Sequence, residues 1–411
     1  MDYRPRLIDA RLARALAVFS AVSLVGPRAS GKTTSASRRA ASVARLDEPA
    51  AAALFNADVD RALAGRAKPA LLDEWQEIPS VLGAVKRAVD HDRTPGQFLL
   101  TGSVTAEMDN ATWPGTGRVI RLTMGTMTQR EQRGLVDARP TMRELLCGEV
   151  SMPPNPPDLI HYVELAQSGG FPEATMLTDH RDIRMWHDSY VEQLVNRDAM
   201  RIADGRDAAR LRRYLQTWGL NSAGIVDDTT IYASAGIDRR THLAYEQLLR
   251  NLFVAEIVPA WTSNRLRRLV LAPKRYLCDT GLMCVASRIG RLDILGDGDL
   301  LGRVIETLVF NELRLHAAAD DEPCSLHHLR TAGGRQEVDL VIEFDGGRVF
   351  GIEIKATAAP TAKDARHLRW MRDELASVFV GGVVFHTGPE IVRFDDNIVA
   401  LPIAALWGAR A

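Results

Sequence analysis

The amino-acid sequence predicts an α/β fold divided among two or three domains. The chain has 411 residues, 46% of them hydrophobic and 25% charged, which is a globular composition on a chain longer than one compact core usually takes. From Leu7 to about Val150, short apolar segments alternate with helical stretches, a pattern typical of a parallel sheet covered by helices. Strand-like segments return between residues 325 and 400. An α/β domain is therefore expected near each end of the chain.

Four strand candidates mark the first domain, and a proline-rich segment follows it. The strand candidates are Ala21 to Val25, Ala70 to Leu72, Phe98 to Thr101 and Val119 to Leu122. Residues 152–157 contain four prolines and predict a linker or a loop between domains. The sequence is then rich in Leu, Ala and Arg at helical spacing up to about residue 253. We therefore expect domains at residues 1–150, 158–275 and 276–411.

The segment after the first strand has the pattern of a phosphate-binding loop. Gly26 to Thr33 fits Gly-x-x-x-x-Gly-Lys-[Ser/Thr], between an apolar strand and a helix-compatible segment. In such a loop backbone N–H groups face phosphate oxygens, the lysine contacts the β and γ phosphates, and the hydroxyl binds Mg²⁺. A glycine turn without a ligand is the alternative. The candidate ATP-binding residues are Gly26, Pro27, Arg28, Ala29, Ser30, Gly31, Lys32, Thr33 and Thr34.

An acidic pair follows the second strand candidate. Asp73 at the end of that strand can hold Mg²⁺ together with Thr33, and Glu74 can activate the attacking water as a general base. The alternative is that both acids only cap the helix that follows. An adjacent acid pair suits hydrolysis by water better than phosphoryl transfer to a small molecule.

Two further residues are candidates for contact with the nucleotide. Ser103 ends the strand that begins at Phe98, where its hydroxyl could read the γ phosphate or position water. Arg118 precedes the last strand candidate and could act as an arginine finger in cis or in trans, although a solvated surface arginine is the commoner explanation.

Charge and cysteine content limit the other function classes. The 51 Lys and Arg against 52 Asp and Glu leave a formal net charge of -1, so any nucleic-acid surface must be local. The four cysteines have no Cys-x-x-Cys spacing, which argues against a disulfide framework and a structural zinc site and favours the cytoplasm. The apolar stretch from Ala15 continues directly into the phosphate loop, so we expect neither a signal peptide nor a membrane partner.

A segment in the middle of the chain has the element order of a winged helix. Thr229 to Ala235 predicts a helix, Asp238 an N-cap, and Arg239 to Leu252 a second helix, with strands expected at 255–261 and 268–271. Residues 181–275 hold 16 Arg and Lys against 11 Asp and Glu. Arg239 and Arg240 at the second helix, and the wing residues Arg265, Arg267 and Arg268, are candidates for phosphate contacts. A helical connector that pairs its arginines with neighbouring acids is the alternative.

The last domain contains an acidic cluster with a lysine. Val338 to Glu343 and Val349 to Lys355 predict two strands joined by the turn at Asp345, which brings Asp339 opposite Glu353. Asp339 and Glu353, with Glu306 from a helical stretch as a third carboxylate, could hold a divalent metal and its water against a phosphodiester, and Lys355 could orient the nucleophile or counter developing charge. The Asp and Glu-x-Lys arrangement looks like the PD-(D/E)xK nuclease core.

Short blocks along nearly the whole chain resemble a family of prokaryotic AAA-type ATPases with a nuclease-like C-terminal domain of unknown function. The blocks are Tyr3 to Arg6, Gly26 to Arg28, Leu72 to Gln76, Leu100 to Ser103, Gly117-Arg118, Gly169 to Glu173, Pro273 to Tyr276, Asp279 to Leu282, Gly302 to Glu306, Glu337 to Asp339 and Glu353 to Lys355. Ala29-Ser30 stands where that family often has Gln-Val. The resemblance implies ATP binding and hydrolysis.

These observations predict three modules, namely a P-loop AAA-type ATPase domain, a helical or winged-helix connector, and a nuclease-like α/β domain. The predicted activity is Mg²⁺-dependent hydrolysis of ATP, coupled to a nucleic-acid-binding domain that is a candidate metal-dependent nuclease using Mg²⁺ or Mn²⁺. The alternative is an ATP-gated regulatory or nucleic-acid-binding module with an inert C-terminal domain. DNA or RNA and further copies of the chain, in a homo-oligomer, are the candidate partners.

Overall fold

A computed structural model describes residues 3–103, 116–137, 139–199, 208–264 and 271–410. The chain forms two compact units, the first made of residues 1–126 and 248–254 and the second of residues 127–247 and 255–411. The first unit therefore ends before residue 150, because residues 127–151 bond within the second unit: the Arg130 guanidinium donates to the Leu406 and Gly408 carbonyls, and Val150 pairs with Arg410. The three predicted domain ranges remain predictions.

A five-stranded parallel sheet forms the centre of the first unit. Its strands are β1 (Ala21–Val25), β2 (Ser42–Arg45), β3 (Ala70–Asp73), β4 (Phe98–Gly102) and β5 (Val119–Thr123), in the order β2-β3-β4-β1-β5. Its helices are α1 (Ile8–Val18), α2 (Lys32–Ser37), α3 (Pro49–Ala57), α4 (Val59–Ala64) and α5 (Ser80–His91). Every residue of β1, β3 and β4 is buried, which explains their continuous apolar sequences. The unpredicted strand, β2, buries only Ala44 and so carries no apolar signal.

Helices and short strand pairs make up the first part of the second unit. The helices are α6 (Gln129–Gln132), α7 (Met142–Leu146), α8 (Leu159–Ser168), α9 (His180–Ala199), α10 (Ala208–Leu220), α11 (Asp228–Ala235) and α12 (Arg239–Asn251), whose last residues belong to the first unit. Strand β6 (Val150–Ser151) pairs with β15 (Ala409–Arg410), and β7 (Ala255–Val258) pairs antiparallel with β8 (Lys274–Leu277).

The expected winged-helix elements are found in part. Both helices form, and Asp238 caps α12 by accepting a hydrogen bond from the Thr241 N–H at 2.8 Å. The first strand ends at Val258, because Pro259 has no N–H to continue the ladder. The expected second strand at 268–271 lies, apart from Leu271, outside the described residues, and the strand that pairs with β7 is the buried segment Lys274–Leu277. Arg265, Arg267 and Arg268 lie outside the described residues.

A six-stranded mixed sheet forms the core of the C-terminal part. The strands β9 (Cys324–Arg330), β10 (Glu337–Phe344), β11 (Val349–Lys355), β12 (Phe379–His386), β13 (Val392–Asp395) and β14 (Ile398–Pro402) lie in the order β13-β14-β12-β11-β10-β9. The remaining helices are α13 (Thr280–Ser287), α14 (Arg291–Gly296), α15 (Gly298–Ala319) and α16 (Arg366–Leu375). The β10–β11 hairpin has the predicted turn, and it pairs Leu340 with Ile352. Leu368 and Met371 of α16 pack on this sheet.

Candidate functional site

The predicted phosphate loop is a tight turn between β1 and α2. A Cβ atom on Gly26 would lie 1.9 Å from the Met124 carbonyl oxygen, so only glycine lets the loop approach the segment after β5 this closely. Gly31 has a φ of +91° and Ala29 a φ of +58°, both in the left-handed region. Arg28 is partly exposed and Thr34, just after the turn, is exposed, whereas Ser30 is fully buried. The predicted loop residues therefore form one compact turn.

Lys32 is buried at the first position of α2. Its Nζ donates a hydrogen bond to the Pro27 carbonyl oxygen at 2.7 Å, across the mouth of the turn. Burial lowers the pKa of Lys32 to about 8, despite the opposing attraction of Glu74 and Asp73. The ammonium is thus held in a site where a phosphate would replace the carbonyl as its partner.

The side chains of Asp73 and Thr33 come together at the end of β3. The Thr33 hydroxyl donates to Asp73 Oδ1 at 2.8 Å, and the hydroxyl of Thr101 on the neighbouring strand donates to the same oxygen. Asp73 lies opposite Thr101 in the register of β3 and β4, at the carboxyl edge of the sheet where the phosphate loop begins. A hydroxyl beside a carboxylate is a set of hard oxygen ligands that suits Mg²⁺. The role of Thr101 was not predicted, because it depends on strand pairing.

Glu74 sits in a strained turn directly after β3. Its φ is +50°, which is unusual for a residue with a side chain, and its carboxylate accepts a hydrogen bond from Gln76 Nε2. Ser103 Oγ lies 3.4 Å from the same carboxylate, so the structure places Ser103 beside the candidate base. A Cβ on Gly102 would lie 2.8 Å from Gln76 Oε1, which shows how closely the turn after β3 packs on the end of β4.

Arg118 lies at the amino-terminal end of the strands, whereas this cluster lies at their carboxyl-terminal end. Val119 pairs with Ala21 at the start of β1, whereas the phosphate loop follows the end of β1, about 13 Å away at the rise of a strand. The Arg118 guanidinium donates to Asp90 at 2.9 Å. The cis alternative for an arginine finger does not fit this geometry, and only the trans alternative stays a prediction.

The predicted C-terminal residues form a second cluster. Lys355 Nζ donates to Glu353 Oε2 at 2.5 Å and lies 3.5 Å from Asp339 Oδ2. Asp339 Oδ2 also accepts a hydrogen bond from the Ile354 N–H at 2.8 Å, which fixes the carboxylate between the two strands. The hairpin pairs Leu340 with Ile352, and the three side chains come together next to that pair.

Lys274 joins Glu306 to this cluster and was missed at the sequence level. Its Nζ is buried, donates to Glu306 Oε1 at 2.8 Å and to the Asp339 carbonyl at 3.2 Å, and lies 3.5 Å from Asp339 Oδ1. The Tyr276 hydroxyl donates to the same oxygen of Glu306 at 2.7 Å. Both residues come from β8, a strand that the sequence did not predict, so no local pattern could connect them with Glu306.

Burial shapes the protonation of the C-terminal carboxyl groups. It raises the pKa of Glu306 to about 7 and that of Glu353 to about 8. For Asp339, the attraction of Lys274 and Lys355 outweighs the effect of burial and holds the pKa below its usual range. Glu353 Oε1 is buried and has no hydrogen-bond partner within the described part of the chain. Glu353 thus offers a buried, unsatisfied carboxyl oxygen, a hard donor of the kind that divalent cations bind.

The helix pair α11–α12 is held by a buried arginine. Arg275 on β8 donates to Asp228 of α11 and to Glu246 of α12, the latter at 3.3 Å. His242 lies near both acids and accepts or donates a 2.9 Å hydrogen bond with the Tyr214 hydroxyl through Nδ1. The guanidinium therefore already neutralises these acids. We interpret the cluster of Asp228, His242 and Glu246 as one that stabilises the packing of the two helices.

Three family models match parts of the chain. Residues 18–132 match a family described as AAA domain, residues 160–293 match Domain of unknown function (DUF8612), and residues 301–406 match Domain of unknown function (DUF4143). The AAA match covers the phosphate loop and the Asp73-Glu74 turn, and it supports an AAA-type ATPase that binds a nucleotide.

The chain is also similar to two mycobacterial proteins over nearly its full length. It is 27% identical over 398 residues to the Uncharacterized protein Mb2031c of Mycobacterium bovis and, equally, to the Uncharacterized protein Rv2008c of Mycobacterium tuberculosis. Each alignment covers 96% of this chain and 82% of the relative. Within the described residues, none of the helices combines the length and apolar character needed to cross a membrane.

Proposed function

We propose that this protein binds ATP with Mg²⁺ and hydrolyses it to ADP and phosphate. The main observation in support is that Thr33, Asp73 and Thr101 converge at the carboxyl ends of the strands, where the phosphate loop begins. Two strands and a loop that are distant in sequence supply hard oxygen ligands there, next to a buried lysine. A glycine turn without a ligand would not need this arrangement.

Each residue has a distinct role in the proposed reaction. Lys32 would exchange its bond to the Pro27 carbonyl for one to the nucleotide phosphates, and Thr33 and Asp73 would hold the magnesium ion, which neutralises phosphate charge. Asp73 is buried and bound by two hydroxyls, so Glu74, which is partly exposed, is the acid that can accept a proton from water. Ser103 beside Glu74 would help to orient that water.

Nucleotide binding and phosphate release test this proposal. Wild type should bind a fluorescent ATP analogue and release phosphate in Mg²⁺, whereas Lys32→Ala should lose binding. Exposed Lys363→Ala, in the other unit, is the control and should behave as wild type. Equal turnover in wild type and Lys32→Ala would overturn the assignment.

A second candidate function is metal-dependent cleavage of nucleic acid by the C-terminal cluster. It is favoured by the orphaned Glu353 oxygen in a cavity of about 240 Å³, whose rim carries Lys363, Arg366 and His367. The acids would hold Mg²⁺ or Mn²⁺, and the exposed Lys363 and Arg366 would contact neighbouring phosphates. Nicking that requires the metal and is lost in Asp339→Ala and Lys355→Ala would support it. No cleavage of DNA or RNA with either metal would leave the domain inert.

The alternative is an ATP-gated module that binds nucleic acid without cutting it. It is favoured by α12, whose exposed positions include Arg239, Arg240, Leu243 and Gln247 and no acid. Phosphate release measured with single-stranded DNA, double-stranded DNA and RNA separates the alternatives, because stimulation by one of them identifies the partner. A trans role for Arg118 in a cytoplasmic homo-oligomer belongs to the same proposal, and sedimentation with and without ATP tests it.

A further inference from the structure

Arg6 lies directly behind the phosphate loop and bonds to it. Its side chain is only 4% exposed, and Nη1 donates to the Ser30 carbonyl oxygen at 2.7 Å. Nη2 donates to the carbonyl oxygens of Gly125 and Thr126 at 2.8 and 3.1 Å. The guanidinium therefore connects the loop to the chain segment that leaves β5.

The segment after β5 supports the loop at both ends. Gly26, at the start of the loop, packs on the Met124 carbonyl, and Ser30, near its end, is tied through Arg6 to Gly125 and Thr126. Three consecutive residues thus form a platform under the turn. Gly26 contacts it directly, whereas Ser30 reaches it only through the guanidinium.

Arg6 binds the loop at Ser30, between two residues with positive φ. Ser30 stands between Ala29 and Gly31, whose φ values are +58° and +91°. In a trans peptide the C=O and the following N–H point in opposite directions, so fixing the Ser30 carbonyl on Arg6 turns the Gly31 N–H away from Arg6. The guanidinium therefore controls which way a loop N–H faces.

The backbone of Arg6 is itself fixed in place. Its N–H donates to Asp9 Oδ2 at 2.9 Å, and the Tyr3 hydroxyl donates to the same carboxylate and contacts Ser35 Oγ of α2 at 2.9 Å. The segment before α1 is thus bonded to both the loop and the helix that follows it. A side chain held this firmly can impose a conformation on its partner.

We propose that Arg6 is a positioning residue that holds the phosphate loop in its phosphate-binding shape before the nucleotide arrives. This inference rests on the proposed ATPase function and adds a residue outside the loop motif. Without Arg6, part of the binding energy of the nucleotide must order the loop, so affinity falls while turnover of the filled site is kept. A lysine keeps the charge but cannot form the same fork of donors.

Arg6→Gln and Arg6→Lys test the proposal, with Arg4→Gln as the charge-matched control two residues away. We expect KM for ATP and Kd for a fluorescent ATP analogue to rise about tenfold or more in Arg6→Gln, by a smaller factor in Arg6→Lys, and not in Arg4→Gln. At saturating ATP, kcat should stay near the wild-type value. A residue that only stabilises the fold would instead lower kcat through a smaller active fraction and leave KM unchanged.

The outcomes separate this inference from the proposed function. Unchanged KM and Kd in a folded Arg6→Gln protein, checked by its melting temperature, would overturn the role of Arg6. If Arg6→Gln does not fold, Arg6→Lys decides in the same way, with an unchanged KM overturning the proposal. Wild type that neither binds nor hydrolyses ATP would refute the ATPase function itself, before any variant is compared.

Discussion

Replacing Glu74 by Gln should leave ATP binding intact and slow hydrolysis by about 100- to 10,000-fold, the range that a positioned general base contributes. This factor corresponds to roughly 3 to 5 kcal/mol of activation free energy. Both side chains have the same shape, and both must adopt the positive φ of +50° at this position. Gln76 Nε2 donates to Glu74, and an amide oxygen can accept the same bond. The substitution therefore removes the base while keeping the turn.

Asp73 cannot replace Glu74 in this role. Its Oδ1 is committed to the hydroxyls of Thr33 and Thr101, and its side chain is buried. The assay is phosphate release under single-turnover conditions, with binding of a fluorescent ATP analogue measured on the same preparations. Glu77→Gln is the matched control, because Glu77 is exposed three residues further along and should turn over at the wild-type rate. Hydrolysis by Glu74→Gln within about threefold of wild type would refute the assignment of the base.

Three further predictions concern charge and stability. The pKa of Lys32 is about 8, so its ammonium group loses its proton above pH 8. ATP affinity should therefore be constant near pH 7 and fall above pH 8. Equal Kd values for ATP at pH 7 and pH 9.5 would contradict the role of Lys32. Burial raises the pKa of Glu312 from 4.5 to about 8, so the folded state holds a proton that the unfolded state releases, and stability should decrease as pH rises through that interval. Glu312→Gln should remove this dependence in thermal melts, and an unchanged slope would count against the assignment. Lys274→Met leaves Glu306 and Asp339 without their buried cation and should lower the free energy of unfolding by about 3–5 kcal/mol, measured in urea titrations. A loss below about 1 kcal/mol would show that the pairing is dispensable.

Local patterns in the sequence were sufficient for the phosphate loop and for most of the strands around it. The loop motif follows from the glycines, lysine and hydroxyl that phosphate chemistry needs in one short segment. Strands β1, β3 and β4 are buried on both faces and are therefore apolar throughout, so their sequences predict them as strands. The β10–β11 hairpin was predictable for a related reason, since a Gly-containing turn fixes a register that pairs Leu340 with Ile352 and so brings Asp339 and Glu353 to the same lysine, Lys355.

The residues that were missed act through partners distant in sequence. Thr101 reaches Asp73 only because β3 and β4 are neighbours, and Lys274 reaches Glu306 from a strand that was not predicted. Arg6 bonds to carbonyl groups more than a hundred residues away, a contact that no local pattern records. Arg118 precedes β5, and in a parallel sheet the start of each strand lies at the end away from the phosphate loop, so only its trans role stays a prediction.

The two carboxylate clusters differ in what neutralises them, and this difference predicts how each would take a metal. Asp73 accepts hydrogen bonds from the neutral hydroxyls of Thr33 and Thr101, so its negative charge stays available to a divalent cation. In the C-terminal cluster, Lys274 and Lys355 already sit against the carboxyl groups, and an incoming metal would have to share those acids with two ammonium groups. We therefore expect ATP hydrolysis to reach its half-maximal rate at a lower Mg²⁺ concentration than any cleavage by the C-terminal domain. A common midpoint for both activities would contradict this expected difference in metal affinity between the two clusters.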